Sequence, residues 1–335
     1  MRSGLVLAVL ASFAWLIGWS CGGDDGASLT VYSGRSQDLV GPILERFSDQ
    51  TGIKIRVRYG DTAELAGVIL EEGRNSPADV FFAQDAGALG ALDAESRLAA
   101  IPQELLDRVP AGFRADDGQW VGISGRSRVV AYNTDELRPE DLPASIKDFT
   151  DPAWKGRIGW VPTNGSFQAF VTAFRLLEGE DAARVWLEGI KANNPVELPN
   201  NTAAVEAVAN GEVDVAFVNH YYLFQFLAEQ GEGFKARNYF FKDGDIGALV
   251  NVAGAAMLES SDSKDDAERF LEFMLSQEAQ QYFADETYEY PLVEGVATNP
   301  LLPLLSELQP PLIDLSSLSD LAGTQQLLRD TGVLP

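Results

Sequence analysis

The sequence predicts an α/β protein of two lobes joined by crossing strands. Three observations carry this prediction. Strand and helix patterns alternate through residues 29–83, the alternation resumes from residue 156, and neither a solenoid-length repeat nor a long structureless linker separates the two stretches.

L-T-V-Y (29–32) reads as a short strand, followed by the polar turn S-G-R-S-Q. A helix follows, with Leu39, Ile43 and Phe47 on one face, and Thr51-Gly52 ends it. I-K-I-R-V-R-Y (53–59) alternates apolar and basic residues, as a strand with one wet side does. Asp61 and Thr62 open a second helix through Leu65 and Ile69, closed near Gly73. A-D-V-F-F-A (78–83) is again a strand. Further on, G-R-I-G-W-V-P (156–162) reads as a strand, T-N-G-S as its loop and F-Q-A-F-V-T-A-F-R-L-L as the helix leaving it. A-A-V-E-A-V-A-N-G is a short helix stopped at Gly211, V-D-V-A-F-V (213–218) the next strand, and residues 245–258 suggest a strand pair. An amphipathic helix carrying Ala267, Phe270, Leu271 and Met274 follows.

The 335 residues, 46% of them hydrophobic, suffice for one large core or two smaller ones. With 25 Lys plus Arg against 50 Asp plus Glu, the net charge of −25 repels phosphate backbones and argues against nucleic acid as a partner. Arg2 precedes a continuous apolar run too short for a confident membrane span, so residues 1–21 read as a secretory signal and place the protein outside the cytoplasm. Cys21, the sole cysteine, stands where a lipobox would end, with residues 22–28 as a tether, although Gly18 occupies the position where Leu is usual. Ordinary secretion with a leftover thiol is the alternative. A single cysteine leaves no disulfide, zinc-thiolate site or cysteine nucleophile in the folded region. One histidine, with no G-x-S-x-G, Walker A or H-E-x-x-H motif, disfavours an enzyme.

In open α/β sheets ligands sit beyond the carboxyl ends of strands. Four polar stretches hold such positions: Ser33–Ser36, Gln84-Asp85, Thr163–Ser166, and Asn219–Tyr222. The last belongs to V-N-H-Y-Y-L-F-Q-F (218–226), where two tyrosines are adjacent at a strand-to-helix turn. Along a strand they would face opposite ways, but at a turn both rings can lean into one cleft. Phenolates are hard oxygen donors suited to Fe3+, a small triply charged acid able to displace the phenol proton. Beside Leu223, Phe224 and Phe226 the pair is also readable as an aromatic wall.

The chain resembles the ferric-iron-binding proteins, the periplasmic or lipid-anchored receptors of iron ABC importers. The resemblance runs over the region after the signal. It is carried by L-T-V-Y-S-G-R, L-A-G-V-I-L-E-E-G-R-N-S-P-A-D-V-F-F, W-V-G-I-S-G-R-S-R-V-V-A-Y-N, W-K-G-R-I-G-W-V-P-T-N-G-S-F and A-V-E-A-V-A-N-G-E-V-D-V-A-F-V-N-H-Y-Y, in that order. It implies a type II periplasmic-binding-protein fold, with lobes expected near 29–125 plus 246–300 and 126–245 plus 301–335, and a ligand cleft between them. It further implies Fe3+ ligation by Tyr221 and Tyr222 and an ABC permease as partner of a monomeric, extracytoplasmic, lipid-anchored receptor. The histidine and glutamate ligands of some members fall on Ser36 and Gln84 here, so neither is present. A synergistic carbonate or phosphate would then sit among Asn164, Gly165, Ser166, Asn201 and Asn219. Asp85 is either a metal ligand or a neighbour of the site. Arg126 and Arg128 bring charge to the cleft or pair with carboxylates near the hinge or surface. His220 is a ligand or, by preference, an exposed or hinge-side ring. The alternatives are a receptor of the same fold for a small oxyanion, a ferric chelate or another solute, and, further off, an enzyme on that scaffold.

Overall fold

The computed structural model describes residues 28–335. The signal segment, Cys21 and the tether up to residue 27 lie outside the described residues. The chain opens with β1 (Ser28–Ser33), α1 (Gln37–Thr51), β2 (Lys54–Tyr59), α2 (Thr62–Glu72), β3 (Val80–Ala83) and α3 (Ala86–Ala94), the alternation read from the sequence. After α4 (Gln103–Leu106), the 13-residue β4 (Val121–Asn133) leads into β5 (Ile158–Trp160), α5 (Gly165–Glu178) and α6 (Glu180–Ala192). Then come β6 (Val196–Glu197), α7 (Asn201–Ala209), β7 (Val215–Asn219), α8 (Tyr221–Gln230) and β8 (Ala236–Tyr239). The chain closes with β9 (Val250–Met257), α9 (Lys264–Met274), α10 (Gln277–Glu286), β10 (Tyr290–Pro291), α11 (Leu305–Leu308) and α12 (Leu321–Asp330).

The strands follow the order β2-β1-β3-β9-β4-β7-β5-β6, with β8 and β10 also on β4. β1 pairs in parallel with β2 and β3, and β9 runs antiparallel to both β3 and β4. On the other side β7 is antiparallel to β4 and parallel to β5. The change of partner is sharp. Ser127 still faces Val250 of β9, whereas Arg128 already faces Asn219 of β7, so β4 is the strand that crosses between the two halves.

Residue chemistry explains these elements. β2 pairs only with β1 and alternates between partly buried and exposed residues, as its apolar–basic pattern requires of an edge strand. α1 buries Val40, Ile43, Leu44 and Phe47, and Phe47 meets Phe270 edge-on at 5.4 Å. Asp61 caps α2 by accepting from the Ala63 and Glu64 amides. The second half packs around Phe149, Phe167, Phe170, Trp186 and Phe217, with Trp154 and Trp160 buried as core residues.

One expectation fails. Residues 245–258 form a single strand entered through a 3-10 turn at Ile246–Ala248, because β9 is sandwiched between β3 and β4 and the two faces leave no edge for a hairpin partner. The tail has its own role. Leu315–Ser319 lies against α3 so closely that a Cβ on Gly90 would stand 2.4 Å from the Ser316 carbonyl. α12 then packs on α5, where the Thr172 and Thr324 hydroxyls share a hydrogen bond of 2.7 Å and Arg175 pairs with Asp320 at 3.0 Å. The tail therefore touches both halves of the molecule.

Candidate functional site

The site begins at the carboxyl end of β7. His220 closes the strand and its imidazole is fully buried. Its Nδ1 accepts the Ser127 amide at 3.1 Å and its Nε2 lies 2.7 Å from the Tyr288 carbonyl. One nitrogen accepting and the other donating defines the neutral tautomer with the proton on Nε2. Burial holds its pKa down at about 4, although the Tyr288 carbonyl and Glu289 pull the other way. Of the two placements read from the sequence, the exposed one is wrong. The ring is a hinge-side part, because Ser127 stands where β4 changes halves.

This anchored turn presents Tyr221 and Tyr222 as the first two residues of α8. Their rings stack, with centroids 4.3 Å apart and planes at 28°. Tyr221 is buried and Tyr222 half-buried. Burial first, and then the neighbouring Tyr222, push the Tyr221 phenol well above its ordinary pKa, while Arg35 and Arg126 oppose the shift. Free of ligand, the phenol is protonated.

Cations stand around the pair. Arg126, 1% exposed on β4, has no hydrogen-bond partner at Nη1 or Nη2. Burial depresses its pKa, and Tyr221, Asp85 and Glu289 each counteract this through their charge. Pairing of Arg126 with a surface carboxylate is thus excluded. Two residues along the same face of β4, Arg128 donates to Asn219 Oδ1 at 3.0 Å and reaches Ser166 Oγ at 3.5 Å. Burial lowers its pKa to about 9. Arg35, in the turn after β1, forms a buried ion pair with Glu289 at 2.7 Å. Burial would lower its pKa, but Glu289 and the two phenols outweigh that and raise it.

The remaining sequence candidates divide. Asn164 caps α5, and its Oδ1 accepts from the Ser166 amide at 3.0 Å, from Ser166 Oγ at 2.5 Å and from Asn201 Nδ2 at 3.2 Å. Gly165 is the first residue of that helix. Asp85 caps α3 by accepting the Ala88 amide, and burial raises its carboxyl pKa against the pull of Arg126. Gln84, Asp85, Asn164, Gly165 and Ser166 share the wall of one cavity of about 400 Å3 between α2, α3 and α5. Ser36 does not join them: it is exposed ahead of α1 and makes no capping bond. Another cavity of similar size, near Arg74, Arg97 and Glu259, lies on the far side of the first half, where β9 ends, and meets none of these groups.

Sequence reasoning missed Glu289, and read Arg35 only as part of a turn. Arg35 and Glu289 are 254 residues apart, so no local pattern signals their meeting. Around the phenols, Glu289 Oε1 and Asn219 Nδ2 also lack protein partners. Buried polar atoms left this way are costly unless a polar ligand serves them. Among the described residues, no three His, Cys, Asp or Glu gather as a metal site.

Comparison with known proteins agrees in kind. The profile of the family described as bacterial extracellular solute-binding protein matches residues 75–310. The chain is 37% identical to the major ferric iron-binding protein of Neisseria meningitidis serogroup B, over 92% of this chain and 93% of that one. It superposes on iron-bound HitA from Pseudomonas aeruginosa with a TM-score of 0.87 and 39% identity, covering 91% and 99% of the two chains. Trichodesmium IdiA (FutA), solved in complex with iron and citrate, gives 0.81 and 29%, covering 91% and 99%.

Proposed function

Because the chain belongs to the bacterial extracellular solute-binding protein family, with the type II periplasmic-binding-protein fold and ferric iron-binding relatives, we propose that Tyr221 and Tyr222 capture Fe3+ as paired tyrosinates. It is a binding protein, and bond chemistry is no part of its task. The observation that carries the reading is the stacked phenol pair beside a buried, unpaired Arg126. Two phenolates cancel two of the three charges on the ion. Arg126 and Asn219 then hold a synergistic carbonate or phosphate, with the amide end of α5 nearby, and this anion stands in for the ligands missing at Ser36 and Gln84. Asp85 leaves its cap on α3 or stays there, as neighbour of the anion-binding arginine. Closure of the two halves about β4 buries the ion, and an ABC permease receives it. Lipid on Cys21 holds the receptor at the membrane.

The test is iron retention by the protein lacking residues 1–21, after dialysis against Fe3+ on a weak chelator. Wild type retains one iron per chain. The double variant Tyr221→Phe/Tyr222→Phe retains none, and retention equal to wild type would refute tyrosinate capture. A second reading, a receptor for a small oxyanion alone, draws on the unpaired Arg126. It requires phosphate to bind as tightly without iron as with it.

A further inference from the structure

The tail is fastened on both sides of a very short joint. On the first half, its 3-10 turn Leu315–Ser319 lies along α3, where two glycines leave room for its backbone. An added Cβ would stand 2.6 Å from the Leu318 carbonyl at Gly87 and 2.4 Å from the Ser316 carbonyl at Gly90. Trp120, just ahead of β4, donates its indole N–H to Ser316 Oγ at 3.1 Å. On the second half, Asp320 caps α12 by accepting the Gly323 amide at 3.0 Å. Arg175 of α5 pairs with the Asp320 carboxylate at 3.0 Å and donates to its carbonyl at 3.3 Å. The Thr172–Thr324 and Gln168–Gln325 hydrogen bonds, at 2.7 and 3.3 Å, hold the start of α12 to α5. Only Ser319 lies between Leu318 and Asp320. Two residues of chain span about 7 Å at full extension, which leaves little slack between the docked ends.

The other links between the halves gather elsewhere. β4 crosses at Ser127 and Arg128, and β9 crosses beside it, where the Arg128 amide donates to the Leu249 carbonyl at 2.9 Å. His220 meets the Tyr288 carbonyl there at 2.7 Å, and Leu302 and Leu308 pack in with Val250, Tyr290 and Phe224. Along β4, Ser127 is about 20 Å from Val121 at about 3.3 Å per residue, and the tail meets Trp120 just ahead of Val121. The halves are therefore tied at two separated points. A rotation of about 15° about the crossing alone would carry a point about 20 Å away through about 5 Å. Where that motion draws α3 and α5 apart, a joint of one residue cannot follow it.

From this we infer that the tail is a strap and Ser319 a second hinge. The halves turn about the line from the β4 crossing to Ser319, and the cleft opens on the side away from the tail. A body held at two points keeps one rotation and loses the others. Leu318, Ser319, Leu321 and Gln325 line the cavity between α2, α3 and α5, so that flank of the cleft keeps its width through the motion. By denying the halves every wider excursion, the strap slows the release of a captured ion. The inference concerns the motion and not the ligands, so it stands or falls apart from tyrosinate capture.

The experiment lengthens the joint. An insert of about six Gly and Ser residues between Ser319 and Asp320 adds a span of about 13 Å and leaves both docked ends intact. The protein lacking residues 1–21 has no cysteine, so spin labels go only to Asp49→Cys on α1 and Glu188→Cys on α6, both exposed positions. Electron–electron double resonance then reads the distance between the halves. Without iron, the lengthened protein should show a broader distribution that reaches distances absent from the parent. Its iron release to a competing chelator should be faster by roughly fivefold or more. A thrombin site at the same place, cut after folding, should repeat both results and guards against a folding defect in the insertion. Iron-free distributions that coincide in parent, lengthened and cut proteins overturn the strap, whatever the release rates. Failure of the parent to retain iron overturns tyrosinate capture, and the iron-free distances still decide the strap.

Discussion

Tyr221 is a phenol that burial keeps protonated, so iron has to displace its proton. Binding coupled to one released proton strengthens about tenfold per pH unit, and the sign follows: affinity falls as pH falls. Competition titrations from pH 6 to 8 should show at least this slope, and a flat profile would speak against phenolate ligation. Removing either hydroxyl should cost on the order of 10²-fold in iron affinity or more, since even residues behind metal ligands commonly cost 10- to 100-fold. The Arg35–Glu289 pair makes a different prediction. Glu289→Ala leaves a buried guanidinium unpaired beside the phenols and should destabilise the protein by about 3–5 kcal/mol in denaturant unfolding. The adjacent tyrosines and the polar loop residues were legible in the sequence because their order along the chain is itself the signal. Arg126 was legible as a charge for the cleft, but Arg35 and Glu289 were not, nor was the lack of a partner at Arg126, because tertiary folding alone brings residues 35, 126 and 289 to one place.

At the scale of elements, the first α/β half was readable through strict alternation and the caps at Asp61 and Gly52. The single strand β9 was misread as a pair, since a run buried on both faces gives no periodicity by which to count strands. The crossing of β4 is fixed by His220, whose ring joins Ser127 to Tyr288. Its folded pKa of about 4 lies below the unfolded value of 6.5. The stability it contributes is complete above pH 6.5 and is lost as pH falls toward 4, on the order of 3 kcal/mol. Urea unfolding of wild type and His220→Gln should therefore differ by about that much less at pH 4 than at pH 7. The tail contact gives another prediction. Gly90→Ala forces a methyl against the Ser316 carbonyl and should destabilise by about 1–3 kcal/mol, read as a lower Tm.

For the whole molecule, β4 and the tail touch both halves, as do Tyr288 and Glu289 through His220 and Arg35, and the cavity wall draws on α2 and α3 from one half and α5 from the other. A ligand that bridges these walls favours the closed arrangement by its differential affinity for it. The net charge of −25 leaves the surface acidic, so the buried arginines at the centre are a local reversal of sign that only the fold creates. The most direct measurement is visible absorption during titration of iron-free protein with Fe3+, with bicarbonate present and absent. The account predicts a tyrosinate-to-iron charge-transfer band that saturates at one iron per chain, weakens without the anion, and vanishes in Tyr221→Phe/Tyr222→Phe. A band that persists in the double variant, or none in the wild type under either condition, would contradict it.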